Sequence, residues 1–251
     1  MIIEDQGIII SARDFEERYI VVQCFLKTNG LMGGLVRVSK SSKTDCSPGN
    51  IVHATWNARL REHLGHYKFD LIRNTLAATA FDRTAVTFIR AAIAISLLVL
   101  HEKEKQIELF NELEAFLLAT SQPCTKFFYS KYLSLELCIL KAGGFGLEPN
   151  KCVGSGKTVE LIYISPKSGA VVSREAGEPY HDKMLKLPQS MLTFQNGISE
   201  QELYDCLQIT GYFIEKNILS ITGKKMPFER ELMLEILQSN CEKLIYNMGS
   251  N

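Results

Sequence analysis

The hydrophobic period of this chain changes once, near Thr79, and that change limits the possible folds more than any other feature. Before it, residues 2–10, 19–27, 31–39, 51–60 and 67–73 are short β-branched or alternating runs separated by turn residues. Side chains that alternate with period two line opposite faces of a strand, so each run predicts a half-buried strand. Asn29-Gly30 predicts a hairpin turn between two of them. With no helix among these runs long enough for a parallel crossover, they predict a small antiparallel barrel of the OB type.

After Thr79 the apolar period approaches four, and helices are expected over 83–100, 104–119 and 124–142. The third carries a stripe of Phe128, Tyr132, Leu135, Ile139 and Ala142, with Pro123 at its start and Gly143-Gly144 at its end. Between 146 and 188 short strand runs at 159–164 and 170–173 predict a small β insert. Ser199-Glu200-Gln201-Glu202 has the spacing of a capping box and opens a helix with the stripe Leu203, Leu207, Thr210, Ile214 and Ile218. A last helix is expected over 228–246. The fold class is therefore α+β: a barrel over 1–78, then a helical domain over 79–251 with the insert at about 146–188.

At 251 residues and 46% apolar composition the chain can bury a substantial core. Its 28 Lys and Arg balance 28 Asp and Glu, so no overall field draws it to nucleic acid and any such site is local. Glu4 and Asp5 stand where a secretory signal carries basic residues, and the apolar run 85–100 is short for a membrane span and contains Arg90. A cytoplasmic protein without membrane contact is expected. The seven cysteines, at 24, 46, 124, 138, 152, 206 and 241, include no CxxC pair and read as reduced thiols.

Motifs that resemble chemistry fail on spacing. Ser155-Gly156-Lys157-Thr158 would place the first glycine of a phosphate loop at Lys151, and a strand-like run follows it where a helix is required, so a β-turn is expected. Gly143-Gly144-Phe145-Gly146 lacks the spacing of a dinucleotide fingerprint and follows a helix. His63 and His66, with only Glu62 beside them, are read as solvated turn histidines. No Ser/His/Asp set or carboxylate pair stands out, so no enzymatic activity is expected.

Charge is nevertheless segregated. Between Lys27 and Arg73, eight basic residues (Lys27, Arg37, Lys40, Lys43, Arg59, Arg61, Lys68 and Arg73) face three acidic ones, giving +5 against −5 for the remainder. Strand parity puts Val52, Ala54, Trp56, Ala58 and Leu60 on one face and His53, Thr55, Asn57 and Arg59 on the other. Trp56 is thus either core or a base-stacking platform, and parity favours core. Lys40-Ser41-Ser42-Lys43, after Arg37, suits phosphate contact and equally suits a solvated turn.

Three segments carry a family resemblance. Ser47-Pro48-Gly49-Asn50 runs into Ala54-Thr55-Trp56-Asn57-Ala58-Arg59-Leu60-Arg61-Glu62-His63-Leu64-Gly65; Leu147 leads to Cys152; and Tyr163-Ile164-Ser165-Pro166-Lys167-Ser168-Gly169 follows. With Ala176-Gly177-Glu178-Pro179-Tyr180 and residues 207–213, the chain resembles the RecO family of DNA repair proteins, in its alphaproteobacterial form. The resemblance implies an N-terminal OB-fold, binding of single- and double-stranded DNA, strand annealing, and loading of RecA together with RecR. It carries the basic character of the barrel, and hence Lys27, Arg37, Lys40, Lys43, Arg59, Arg61 and Arg73, over as DNA contacts. It also implies docking of the acidic, apolar tail of single-stranded DNA-binding protein on the helical domain, for which Arg90, Lys126 and Lys131 are candidates. The alternative is a protein-interaction barrel whose partner supplies most of the DNA contact.

Many members of that family carry a four-cysteine zinc site in the insert. Here only Cys152 keeps a thiolate, while Ser155, Ser173 and Ala176 occupy the other three positions, so no metal or other cofactor is expected. Elemental analysis of the purified protein should find no stoichiometric zinc, and one tightly held zinc per chain would overturn this reading.

Overall fold

The computed structural model describes residues 1–37, 43–60, 63–79, 82–147 and 158–248, without the side chains of 43, 44 and 243–248. The alternating runs form β1 (Ile2–Glu16), β2 (Tyr19–Leu26), β3 (Gly30–Arg37), β4 (Ile51–Asn57) and β5 (Gly65–Arg73). These close a barrel in the order β1-β2-β3-β5-β4, the five-stranded arrangement expected of an OB-fold. Inward positions including Ile9, Val22, Met32, Val52 and Trp56 fill its core. Asp5, buried on β1, accepts hydrogen bonds from the Thr28 backbone N–H and hydroxyl, both at 2.8 Å, and from Asn29 Nδ2 at 3.0 Å, which fixes the turn from β2 into β3.

Closure departs from the all-antiparallel barrel that the sequence implies. β3 meets β5 in parallel through Gly34↔Gly65, Leu35↔His66 and Val36↔Tyr67. Two aromatic side chains bridge this short seam: Trp56 Nε1 donates to the Gly33 carbonyl at 3.1 Å, and the Tyr67 hydroxyl donates to the Met32 carbonyl at 3.2 Å. Their rings leave no room for a side chain at the seam itself. A Cβ on Gly34 would lie 2.5 Å from the Tyr67 ring, and one on Gly65 would lie 2.2 Å from the Trp56 ring. Trp56 is 1% exposed, as its parity requires, and its one polar atom is satisfied. Leu60, assigned to the same face by parity, is exposed because β4 ends at Asn57 and the alternation ends with it.

A single turn, α1 (Thr75–Ala78), leads into α2 (Arg83–Ser96) and α3 (Ile107–Ala119). Phe110 of α3 meets Phe25 of β2 with ring centroids 5.4 Å apart, and the Gln6 amide of β1 donates to Glu114. These helices therefore complete the first of two compact units, which runs to Pro123. The apolar run around Arg90 is a buried helix, with Ala85, Phe88, Ile89, Ala92 and Ile93 inside. Among the described residues no helix is long and apolar enough to cross a membrane.

The second unit begins with α4 (Lys126–Ala142), capped by Thr125, whose hydroxyl accepts the Phe128 N–H at 3.1 Å. Its stripe Phe128, Tyr132, Leu135 and Ile139 is buried, whereas Ala142 in the last turn is exposed. The insert forms β6 (Leu161–Ile164), β7 (Val171–Ser173) and β8 (Leu185–Lys186), in the order β7-β6-β8, with the single turns α5 (Arg174–Gly177) and α6 (Ser190–Thr193) beside them. The capping box opens α7 (Glu200–Ile214) with both reciprocal bonds in place, and the backbone N–H of Ser199 holds the Glu202 carboxyl below its ordinary value. A short α8 (Ser220–Thr222) precedes α9 (Phe228–Met248).

One ion pair ties three of these helices together. Glu136 of α4 and Arg230 of α9, with side chains at most 2% exposed, bond through Nε–Oε1 at 2.8 Å and Nη2–Oε2 at 2.9 Å. Arg230 also donates to the Leu207 carbonyl of α7 at 2.9 Å, and the Thr210 hydroxyl donates to Glu136. Such a pair adds little net stability, but loss of either partner strands a buried charge, at about 3–5 kcal/mol.

The barrel seam gives a direct test of the fold. Gly65→Ala should destabilise the first unit by about 1–3 kcal/mol, the usual cost of forcing extra atoms into a packed core. Because Trp56 is the only tryptophan, its fluorescence reports the seam: the native emission should be blue-shifted, and the variant should lose that signal at lower denaturant. An unchanged midpoint would mean that the seam does not depend on glycine.

Candidate nucleic-acid interface

Cross-strand register determines which outward side chains are neighbours on the barrel surface. One row across the strands is Arg13, Val21, Leu35, His66 and Asn57. In the next, exposed Glu16 pairs with Tyr19, which pairs with Arg37, and Lys68 pairs with Thr55, which pairs with Glu4. Arg37 and Lys68 each lie one residue beyond the last seam pair, at equivalent positions of β3 and β5. Arg13, Arg37, His66 and Lys68 are exposed, and Tyr19, Val21 and Leu35 are half-buried. The Tyr19 and His66 rings reach toward each other across β3, with centroids 6.5 Å apart and planes at 67°. Exposed Glu4, Glu16 and Asp70 share this face, so its cations Arg13, Arg37 and Lys68 are interspersed with carboxylates.

The other basic positions singled out from sequence separate around the barrel. Lys27 lies at the opposite end of β2 from Tyr19, about 26 Å away at the strand rise. Its ammonium is 4.0 Å from Glu114 and 5.4 Å from the centre of the Phe110 ring. Arg73 ends β5, about 16 Å from Lys68, and its Nε and Nη2 are buried without a hydrogen-bond partner among the described residues. Arg59 is exposed just past the end of β4. Lys43 begins a 3-10 turn (Lys43–Cys46), and Lys40 and Arg61 lie outside the described residues.

Four members of the outward face, Arg13, Tyr19, His66 and Lys68, were not singled out as contacts from sequence, although Lys68 was counted in the basic window. Arg13 and Tyr19 precede the basic window, and the acidic Asp14, Glu16 and Glu17 around them dilute any charge count. His66 lies within β5 and not in a turn, because Gly65 belongs to the seam. The signal available was the parity of Tyr19-Ile20-Val21-Val22, which puts Tyr19 and Val21 outward once Ile20 and Val22 are core.

In the second unit, Lys126 is exposed at the start of α4, and the Lys131 ammonium sits 5.3 Å from the centre of the Phe127 ring. Phe127 is itself 52% exposed. Arg90 is exposed on α2, in the first unit.

No set of three His, Cys, Asp or Glu groups fit to hold a metal is found among the described residues. Ser173 is buried at the end of β7 and Ala176 lies in α5, so neither offers a thiolate; Cys152 and Ser155, with the Ser155-Gly156-Lys157 turn, lie outside the described residues. The residue types at 155, 173 and 176 are Ser, Ser and Ala, which do not fit the four-cysteine zinc site that the family resemblance implies for many members. Burial pushes the Cys46 and Cys206 thiols up to about 11 and the Cys24 thiol up as well, which leaves them protonated and poorly nucleophilic near neutral pH.

Comparison with known proteins is consistent along most of the chain. The family model described as Recombination protein O N terminal matches residues 1–74, and that described as Recombination protein O C terminal matches residues 80–226. The chain belongs to the RecO family. This RecO-family chain is 33% identical over 242 residues to the DNA repair protein RecO of Rickettsia canadensis, covering 96% of the chain and 98% of that protein. It is 34% identical over 236 residues to the protein of that name from Wolbachia pipientis subsp. Culex pipiens, covering 92% and 97%. Against that of Rhodospirillum rubrum the identity is 32% over 240 residues, covering 93% and 95%.

Proposed function

We propose that this chain is a recombinational DNA repair mediator that binds single- and double-stranded DNA through backbone phosphates, anneals complementary strands and helps load RecA together with RecR. Family membership supports the role, and the observation that carries the DNA reading is the outward β1–β2–β3–β5 face, where Arg13, Arg37 and Lys68 stand in adjacent rows. Cations spaced along a convex sheet suit a flexible phosphate backbone without reading its sequence, because phosphate contacts position a strand and carry no base information. Arg59, exposed just past the end of β4, is proposed as a further contact, and Lys27 and Arg73 lie farther away; Lys40, Lys43 and Arg61 are kept as contacts on their place in the sequence alone. The action is to hold and align strands, with no bond made or broken by the chain itself, in the cytoplasm at the nucleoid.

On the second unit we assign the acidic, apolar tail of single-stranded DNA-binding protein to Phe127, Lys126 and Lys131. An exposed aromatic ring beneath a lysine is suited to a ligand with an apolar end and carboxylates. Arg90, in the first unit, is a separate partner contact.

Each phosphate neutralised contributes about −0.7 for a single strand and −0.9 for a duplex to the slope of log affinity against log salt. The variant Arg13→Ala/Arg37→Ala/Lys68→Ala should therefore flatten the slope by about 2 for single strands and nearly 3 for duplex, measured by fluorescence anisotropy of labelled oligonucleotides. An unchanged slope would remove these three residues from the interface. Absence of DNA binding by the unaltered chain at low salt would favour the alternative, a barrel whose partner supplies the DNA contact.

A further inference from the structure

Phosphate contacts alone do not distinguish a single strand from a duplex, yet the outward face carries more than cations. Trp56, the aromatic that the sequence offers as a stacking platform, is closed off inside the barrel. Tyr19 and His66 lie outside it, within the rows that hold Arg13, Arg37 and Lys68. We propose that the Tyr19–His66 ring pair is a base-stacking platform that makes this face prefer unpaired nucleotides over duplex, a proposal that rests on the phosphate-binding reading above.

Three observations carry it. The rings come from β2 and β5 and approach edge to face across β3, so each limits the rotation of the other, and less side-chain freedom is lost when a base settles on them. Their surroundings are apolar at the sheet surface, with half-buried Val21 and Leu35 in the same row as His66, which suits the flat face of a base. Finally, Arg37 pairs with Tyr19 on the β3 side, opposite Glu16 on the β1 side, and Lys68 follows His66 by two residues on the same face of β5, so a phosphate can be held beside each ring on the β3–β5 side, away from Glu16. Bases in a duplex are already stacked on one another and cannot lie on such a platform, whereas each unpaired base that stacks on an aromatic ring gains affinity in a sequence-tolerant way. The β5 register that brings His66 to this face is set by the Gly34–Gly65 seam, which links base preference to barrel closure.

The experiment uses the full chain and three probes of equal length: a single-stranded oligonucleotide, its duplex, and a strand of abasic sites that keeps the phosphates and lacks the bases. The unaltered protein should bind the base-bearing strand roughly tenfold or more tightly than the abasic one. Tyr19→Leu/His66→Ala should erase that difference, leaving duplex affinity and the salt slope of the abasic strand as they were, and Tyr19→Phe alone should retain it. Retention of the full preference by the double variant would overturn the proposal while leaving the phosphate reading standing. Equal binding of base-bearing and abasic strands by the unaltered protein would do the same. Failure of the unaltered protein to bind any of the three probes would sink both. Circular dichroism and the Trp56 emission confirm that each variant keeps the barrel closed.

Discussion

The first unit depends on a parallel seam of three residue pairs between β3 and β5. A barrel of five strands has no free edge only if its last pairing forms, and here that pairing joins strands that are not sequential neighbours. Glycine at 34 and 65 lets the Tyr67 and Trp56 rings lie directly against the backbone, and each ring donates its polar hydrogen to a β3 carbonyl. Closure, core filling and satisfaction of two buried polar groups are thus one event. It also fixes the outer surface, because the register of β5 against β3 decides that His66 and Lys68 stand beside Leu35 and Arg37.

Much of this was legible in the sequence. All five barrel strands fall on the predicted runs, although β1 continues past residue 10 to Glu16, and the parity of Val52, Ala54 and Trp56 gave their burial correctly, since side-chain alternation is a local property. The capping box at Ser199 and the stripe of α7 were equally local and equally readable. The seam was not. Pairing between β3 and β5 leaves no periodic trace, and its only marks are two glycines, Gly34 inside the run 31–39 and Gly65 just before the run 67–73, neither of which announces a partner ring. The Glu136–Arg230 pair was hidden for the same reason: nothing near either residue announces a partner on another helix.

The interface was half legible. A count of charge along the chain found the barrel basic but could not tell outward from engaged. Lys27 was counted with Arg37, although its ammonium lies beside Glu114 on a helix that comes much later in the sequence. Arg13 and Tyr19 were hidden among the acidic Asp14, Glu16 and Glu17, of which Glu16 pairs with Tyr19, and His66 was obscured by the glycine before it. Once the register is known, Arg37 and Lys68 of that window stand on one face of the barrel with Arg13 from outside it and the Tyr19–His66 ring pair. A modest charge is then sufficient, because the groups are concentrated where a strand can lie across them.

The central claim is that barrel closure builds a DNA-binding face on β2, β3 and the start of β5. It is tested most directly by photo-cross-linking a single-stranded oligonucleotide containing 4-thiothymidine to the full chain and sequencing the modified peptides. Attachment should fall within the peptides that carry Tyr19, Arg37 and His66. Cross-links confined to residues 124–251, or to the helix-covered side around Lys27, would contradict it.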